Sequence, residues 1–436
     1  MAAQRVSQIV SQLNPLASPV DKILDNSTQK NPDDVVITLA LRTPLTKAGR
    51  GAMKDSTLDG MVFKLLEQVN ARSQLDPKHV EDICLGNVRE GSAASYVRAA
   101  ALAAGFPNTC AASASARFCS SGLTATQHIA TSIQAGIIDC GIAVGAELLS
   151  DSRPRLERPF VDEIMGNSEA RDCMIPMGGT SEIVAKEFNV TREKQDEYAA
   201  ESYRRAEAAD KAGLFQDELV PITVIKDGKE TKIEKDEIRY GTTYEKISKL
   251  PGAFKDYGDR STAGNSSQVT DGAAAVILMR RSKALELGQP ILAKYVGTAL
   301  AGLPPRIMGI GPSLAIPKLL AKHNLDLHKD IDLIEINEAF ASMAVYCRDK
   351  LELDWSKMNP RGGAIALGHP FGMTGVRQIV TILSEARRQK KKICLTSMCL
   401  GTGMGMAGLF VNEQLDGPES SPTADGRNAT APGIMR

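Results

Sequence analysis

Cys119-Ser120-Ser121-Gly122, Gly368-His369-Pro370 and Cys399-Leu400-Gly401-Thr402-Gly403 hold the residues of this chain best suited to covalent chemistry. Each reactive side chain stands beside glycine or at a strand-to-helix junction, where a substrate can come close to the backbone. Two thiols and an imidazole suit acyl-thioester chemistry: one thiolate carries an acyl group while the histidine and the second thiol move protons. No pair among them has the Cys-x-x-Cys or His-x-x-x-His spacing of a zinc site.

Taken singly, each segment has a plainer reading. Cys119 falls where a strand passes to a helix, and the helix dipole favours an anion there; a buried thiol at a helix start fits equally well. His369 lies in a glycine-rich run, a poor place for a core histidine. The other four of the five histidines, His79, His128, His323 and His328, lie in charged or helical surroundings that suit surface or packing roles. Cys399 ends an apolar run and leads into Gly401, Gly403 and Gly405, a backbone able to aim amides at an oxyanion. The remaining cysteines, Cys84, Cys110, Cys140, Cys173, Cys347 and Cys394, read as small hydrophobes.

An internal repeat ties two of the segments together. Shifted by 250 positions, Cys119 falls on His369, Gly122 on Gly372, Thr124 on Thr374, Ile129 on Ile379 and Thr131 on Thr381. Asn87 falls on Asn337, so each asparagine precedes its reactive residue by 32 positions. One offset shared over a strand, a loop and a helix indicates duplication. A pseudo-twofold would then bring the two loops together.

The elements that must position these residues alternate. Residues 35–40, 82–88, 140–145, 331–336 and 393–398 read as buried strands, and 121–135 and 375–388 as helices. Such alternation predicts a layered α/β fold with central sheets. Residues 150–270 break the pattern: 192–212 reads as a charged amphipathic helix, and 220–225 with 231–235 as a hairpin turned at Asp227-Gly228. This stretch is expected to be an excursion covering the active-site face.

Composition narrows the class. The 436 residues suffice for two or three domains. Lys+Arg and Asp+Glu are 52 each, so no net field favours nucleic acid, and Lys390-Lys391-Lys392 reads as a solvated helix end. No apolar stretch reaches the ~20 residues of a membrane span. Irregularly spaced cysteines without a signal peptide suggest a reducing compartment and free thiols. Val6, Ile9, Val10 and Leu13 stand at helical spacing near the start, and residues 413–436, rich in Pro, Ser, Gly, Asp and Asn, read as a disordered tail. Asn428-Ala429-Thr430 has the form of a glycosylation sequon but means little without a secretory signal.

With Arg171-Asp172-Cys173-Met174-Ile175-Pro176-Met177-Gly178, Ser261-Thr262-Ala263-Gly264-Asn265-Ser266-Ser267-Gln268-Val269 and Asn337-Glu338-Ala339-Phe340 added to the three reactive segments, the chain resembles the thiolase family, and most of all the peroxisomal 3-ketoacyl-CoA thiolases. The resemblance runs over residues 35–411. It implies a thiolase-like duplicated five-layer α-β-α-β-α fold with an inserted loop domain. The implied division is a targeting or flexible segment 1–33, an N-terminal domain 34–285 with its loop domain at about 150–270, a C-terminal domain 286–412 and the tail 413–436.

By the same resemblance, Cys119 is the nucleophile, His369 accepts its proton, and Cys399 protonates the departing acetyl-CoA carbanion. Asn337 orders a water that forms one oxyanion hole with His369, the amides of Cys119 and Gly401 form another, and Ser267, Ala339 and Phe340 line the pantetheine channel. The implied reaction is ping-pong thiolysis of 3-ketoacyl-CoA in fatty-acid β-oxidation. CoA and acyl-CoA are substrates, no cofactor or metal is implied, and neither nucleic acid nor membrane is a partner. A homodimer, or a tetramer, is implied. Residues 5–13 resemble a type-2 peroxisomal targeting signal, with departures at Val10 and Gln12, which implies an import receptor and the peroxisome, with cytosol and mitochondrion left open.

Other departures bear on acyl length: Ala116-Arg117-Phe118 where the family usually has Asn-Arg-Gln, Leu148-Leu149 after Glu147, and a poor fit over residues 150–170. Three rival readings stand beside the main one. They are a short-chain acetoacetyl-CoA thiolase working in the condensing direction, a ketoacyl synthase, which Cys399 argues against, and a catalytically silent acyl-CoA-binding homologue.

Overall fold

The computed structural model describes residues 27–151 and 160–415; the targeting run, the segment 152–159 and the tail from 416 lie outside the described residues. The strands are β1 (Val35–Arg42), β2 (Thr46–Lys47), β3 (Asp82–Gly86), β4 (Ala111–Ser115), β5 (Cys140–Glu147), β6 (Ile222–Lys226), β7 (Lys229–Ile233), β8 (Thr270–Arg280), β9 (Ala293–Gly302), β10 (Leu333–Ile336), β11 (Ile393–Leu400) and β12 (Met404–Asn412). The helices of ten or more residues are α1 (Leu58–Ser73), α2 (Ala93–Ala103), α3 (Ser121–Gln134), α4 (Met177–Glu187), α5 (Arg192–Lys211), α6 (Pro312–His323), α7 (Ala341–Lys350) and α8 (Phe371–Gln389).

Strands β5, β10 and β11 are buried along their whole length, so their sequences run apolar or small without alternation. Their pairing shows the duplication. The large sheet has the order β10-β11-β12-β9-β1-β8-β5-β3-β4, and β1 meets β9 only through Val36↔Lys294 and Ile37↔Ala293. On one side of that seam β1–β8 and β8–β5 are antiparallel and β5–β3 parallel. On the other side β9–β12 and β12–β11 are antiparallel and β11–β10 parallel. Each half repeats one topology, and the offset of 250 carries β3 onto β10.

Helices α3 and α8 lie between the two half-sheets and touch strands of both, α1 and α2 cover one outer face, and α6 covers the other. That is five layers. Helix α8 is encased, with every residue from Gly372 to Ala386 buried. It starts at Phe371, four residues before the expected 375, because its glycines do not break it: the missing side chains let α3 approach. A Cβ on Gly122 would lie 2.5 Å from Gly372 O, and one on Gly375 would lie 2.3 Å from Leu123 N. The helices therefore cross backbone to backbone at glycines that the repeat relates.

The excursion between β5 and β8 carries α4, α5 and the β6–β7 hairpin, whose turn is Asp227 (φ 50°) and Gly228 (φ 74°), as their residue types require. Buried charges bind it to the core. Arg42 pairs both Nη atoms with Asp236 at 2.7 Å and its Nε with Glu218 at 2.7 Å. Glu218 also accepts from Thr381 of α8 and from Arg361. Glu413, the first residue of the stretch read as a tail, donates its amide to Leu292 O at 3.0 Å and pairs with Arg281.

Gly375→Ala is expected to cost about 1–3 kcal/mol by overpacking, read as a lower midpoint in chemical denaturation. A wild-type midpoint would show that the helices separate without loss.

Candidate active site

The Cys119 loop is built by a backbone kink. Phe118 takes a left-handed φ of 45°, uncommon for a residue with a side chain. Its carbonyl accepts from Ser121 N at 3.0 Å and Ser121 Oγ at 2.7 Å, and Arg117 N donates to Ser121 Oγ at 2.9 Å. This turn stops β4 and starts α3, leaving Cys119 buried just ahead of the helix. The Phe118 ring packs against the main hydrophobic core.

His369 is placed by a second kink. Gly368 has φ 118°, and a Cβ there would sit 2.3 Å from Thr270 Cγ2. The His369 amide donates to Gln268 O at 2.9 Å. Its ring shares a 2.7 Å hydrogen bond between Nδ1 and Thr374 Oγ1 and meets the Phe371 ring edge-on at 5.3 Å. Asn337 Nδ2 lies 3.4 Å from Nδ1 and 3.3 Å from Nε2. Burial, helped by the charge of Arg377, pulls the His369 pKa down to about 3, so the ring is neutral at neutral pH.

Asn337 follows β10 and donates its amide to Ser397 O at 2.9 Å. Its side-chain Oδ1 is buried and has no hydrogen-bond partner among the described residues. Cys399 lies in β11 opposite Gly405 of β12, with its Sγ 3.9 Å from Met343 Sδ. Burial, then the fields of Cys119 and Cys347, push its thiol well above the ordinary range, which keeps it protonated. Gly401 is buried in the turn that follows, where Thr402 and Gly403 take φ of 68° and 86°.

Ser267, Ala339 and Phe340 come together through the backbone. Ser267 N donates to Ala339 O at 3.1 Å, Ser266 bridges Phe340, and Ala341 N donates to Asn265 O at 2.9 Å. Ala339 and Phe340 share a buried cluster with Met308, Met343 and Cys399. Glu338 beside them is a tether, accepting from Tyr198 of α5 at 3.0 Å and Ser202 at 2.6 Å.

The repeat-mate of Asn337 does other work. Asn87 Nδ2 donates to Ala146 O and Glu147, and Glu147 also accepts from the amides of Val88, Arg89 and Gly372. Burial raises the Glu147 carboxyl to about 7. Sequence reasoning missed Glu147, Thr374 and Met343 as site-building residues. Thr374 was visible only as the repeat-mate of Thr124, Glu147 only as the residue before the departure at Leu148-Leu149, and Met343 carried no local signal. All eight cysteines are free, and among the described residues no cluster of His, Cys, Asp or Glu could hold a metal ion. No helix among them is long and apolar enough to cross a membrane.

Comparison with known proteins gives the family and the fold. The family model "Thiolase, N-terminal domain" matches residues 35–282, and "Thiolase, C-terminal domain" matches 289–412. The chain is 49% identical to the peroxisomal 3-ketoacyl-CoA thiolase of Yarrowia lipolytica over 93% of this chain and 100% of the relative. The crystal structure of the dimeric peroxisomal thiolase of Saccharomyces cerevisiae superposes with a TM-score of 0.85 at 44% identity, covering 89% of this chain and 100% of that one. The human mitochondrial 3-ketoacyl-CoA thiolase in complex with CoA gives 0.78 at 34% identity, covering 87% and 98%.

An unfolded histidine takes up a proton below about pH 6.5, whereas folded His369 resists it down to about 3. The stability that depends on neutral His369 is therefore complete above that upper value and lost as pH falls through the window. His369→Gln is expected to remove about one proton of slope from the stability–pH curve there, measured by urea unfolding. Glu147 and Glu335, both raised to about 7, tilt the curve the other way in both proteins. An unchanged slope would mean the native ring is protonated.

Proposed function

The chain belongs to the thiolase family, and on that premise we propose that it cleaves 3-ketoacyl-CoA with CoA in fatty-acid β-oxidation, releasing acetyl-CoA and a shortened acyl-CoA. One observation carries the reading: Cys119 and His369 each stand three residues before the glycine, Gly122 or Gly372, at which α3 and α8 cross. The crossing holds a nucleophile and a base in adjoining loops, with Cys399 within the field of Cys119.

Neutral His369 takes the Cys119 proton, and the thiolate attacks the 3-keto carbon. Charge develops on that oxygen, where the Cys119 and Gly401 amides donate; one preorganised donor lowers the barrier by about 3–4 kcal/mol. The bond between C2 and C3 then breaks, leaving an acyl-Cys119 thioester and the enolate of acetyl-CoA. Protonated Cys399 gives its proton to C2 of the enolate, and acetyl-CoA departs. A second CoA loses its thiol proton to the Cys399 thiolate, attacks the acyl group and frees Cys119, whose thiolate recovers the proton held by His369. Asn337 Oδ1, buried and unpartnered, can accept one hydrogen of a water whose second hydrogen faces an enolate oxygen.

Ser267, Ala339 and Phe340 form the wall beside Cys399 along which the pantetheine arm runs. CoA acts as substrate. The peroxisome is the compartment and a homodimer the assembly, in keeping with the relatives' names. The residue 5–13 run is its import signal. Domain 34–285 contributes the Cys119 loop and Ser267, and domain 286–412 contributes the Asn337, His369 and Cys399 segments.

CoA-dependent loss of 3-ketoacyl absorbance tests the reading, with acetoacetyl-CoA and a long-chain 3-ketoacyl-CoA compared. Turnover is expected with the long chain; turnover confined to acetoacetyl-CoA would favour the short-chain condensing enzyme, and none in folded protein the silent homologue. Cys119→Ala is expected to lose at least about a thousandfold in kcat. Cys399→Ala is expected to lose about a hundredfold or more while Cys119 stays open to iodoacetamide.

A further inference from the structure

We propose that Thr374 is a positioning residue that selects the working tautomer of His369. A neutral buried imidazole carries its proton on one nitrogen, and only the other can serve as a base. The Nδ1 of His369 lies 2.7 Å from Thr374 Oγ1, inside hydrogen-bond distance, while Asn337 Nδ2 stands farther off at 3.4 Å and can only donate. Thr374 is wholly buried, so no bulk water replaces its hydroxyl as an acceptor for Nδ1–H. With the proton on Nδ1 held by Thr374, Nε2 carries the lone pair, which Asn337 Nδ2 approaches at 3.3 Å in the resting site and which takes the Cys119 proton when that contact yields. When that proton arrives, Nδ1–H still has an acceptor, so the imidazolium is satisfied without a buried counter-charge.

The hydroxyl is neutral, which distinguishes it from a carboxylate in the same place. A carboxylate would stabilise the imidazolium and hold the proton. A threonine orients the ring and leaves the imidazolium short-lived, as an enzyme must that hands the proton back in each cycle. The repeat shows that this is a role acquired by one half. Thr124, the mate of Thr374, stands five residues after Cys119 as Thr374 does after His369, yet its Oγ1 faces Met406 Sδ at 3.6 Å.

This inference rests on the proposed role of His369 as the base. The full-length enzyme is assayed for turnover and for the pH-dependent rate at which iodoacetamide alkylates Cys119, read by peptide mapping. Thr374→Val, which keeps the shape, is expected to lower kcat about a hundredfold with KM for CoA within about twofold, and to slow Cys119 alkylation at neutral pH in step. Thr374→Ser is expected to restore both. If Thr374→Val does not fold, Thr374→Ala takes its place with the same expected outcome. Wild-type turnover and alkylation in the valine or alanine variant would overturn the proposal. So would a loss of both that serine does not rescue, since that pattern marks packing. His369→Ala separates the two claims. If it alkylates and turns over as wild type, the base reading itself fails; if it is inactive while Thr374→Val is not, only the role of Thr374 falls.

Discussion

Two helices of this protein touch through their backbones, and the site exists because of that contact. Gly122 of α3 lies against Gly372 O, and Gly375 of α8 against Leu123 N, at separations that no Cβ permits. Each helix begins just after a reactive residue, so the depth of the crossing sets how closely the Cys119 and His369 loops approach. Glu147 fastens the same junction from the first half, binding the Gly372 amide together with those of Val88 and Arg89. A larger residue at the crossing would push apart the two half-sheets that flank it.

Burial then supplies much of the chemistry. His369 and Cys399 are both almost fully enclosed, and desolvation is the leading cause of both shifts. The same physical effect acts oppositely on opposite charge types: it removes the proton from a cationic acid and keeps the proton on a neutral one. At neutral pH the result is an imidazole without its second proton and a thiol that keeps its own. The duplication supplied two equivalent loops, and their residues diverged: Asn337 faces the histidine, while Asn87 braces Glu147.

The excursion between β5 and β8 is held by buried charge as well as by apolar packing. Arg42, Asp236, Glu218, Arg361 and Glu385 form one connected set that reaches from β1 through the excursion to α8. Breaking such a set by removing one member strands the others in low dielectric, at a cost of about 3–5 kcal/mol. The set therefore ties the excursion to β1 and α8. The Glu338 tether to Tyr198 and Ser202 does the same next to Ala339 and Phe340.

Five strands of the large sheet, the repeat and the three reactive segments were legible in the chain itself, because each depends on local pattern: full burial erases alternation, glycine marks kinks, and duplication leaves a constant offset; β4, β8, β9 and β12 were not read. The Asp227-Gly228 turn was legible for the same reason, since only those residue types settle at positive φ in a tight hairpin. Helix α8 was harder. Its first turn, from Phe371, lay outside the expected 375–388, and its polar residues Arg377, Gln378, Thr381 and Glu385 carry no local sign of burial. The fold buries them all and partners them across the core. What only the tertiary structure decided were pairings between residues far apart in the chain: Glu147 with Gly372, Cys399 with Met343, Ser267 with Ala339. The hydroxyl that faces His369 Nδ1 belongs here too, although Thr374 is near in sequence, because a helix start and a left-handed glycine must both form before ring and hydroxyl meet. Spacing along a chain encodes which groups are available, and the packing of backbone on backbone determines which of them touch.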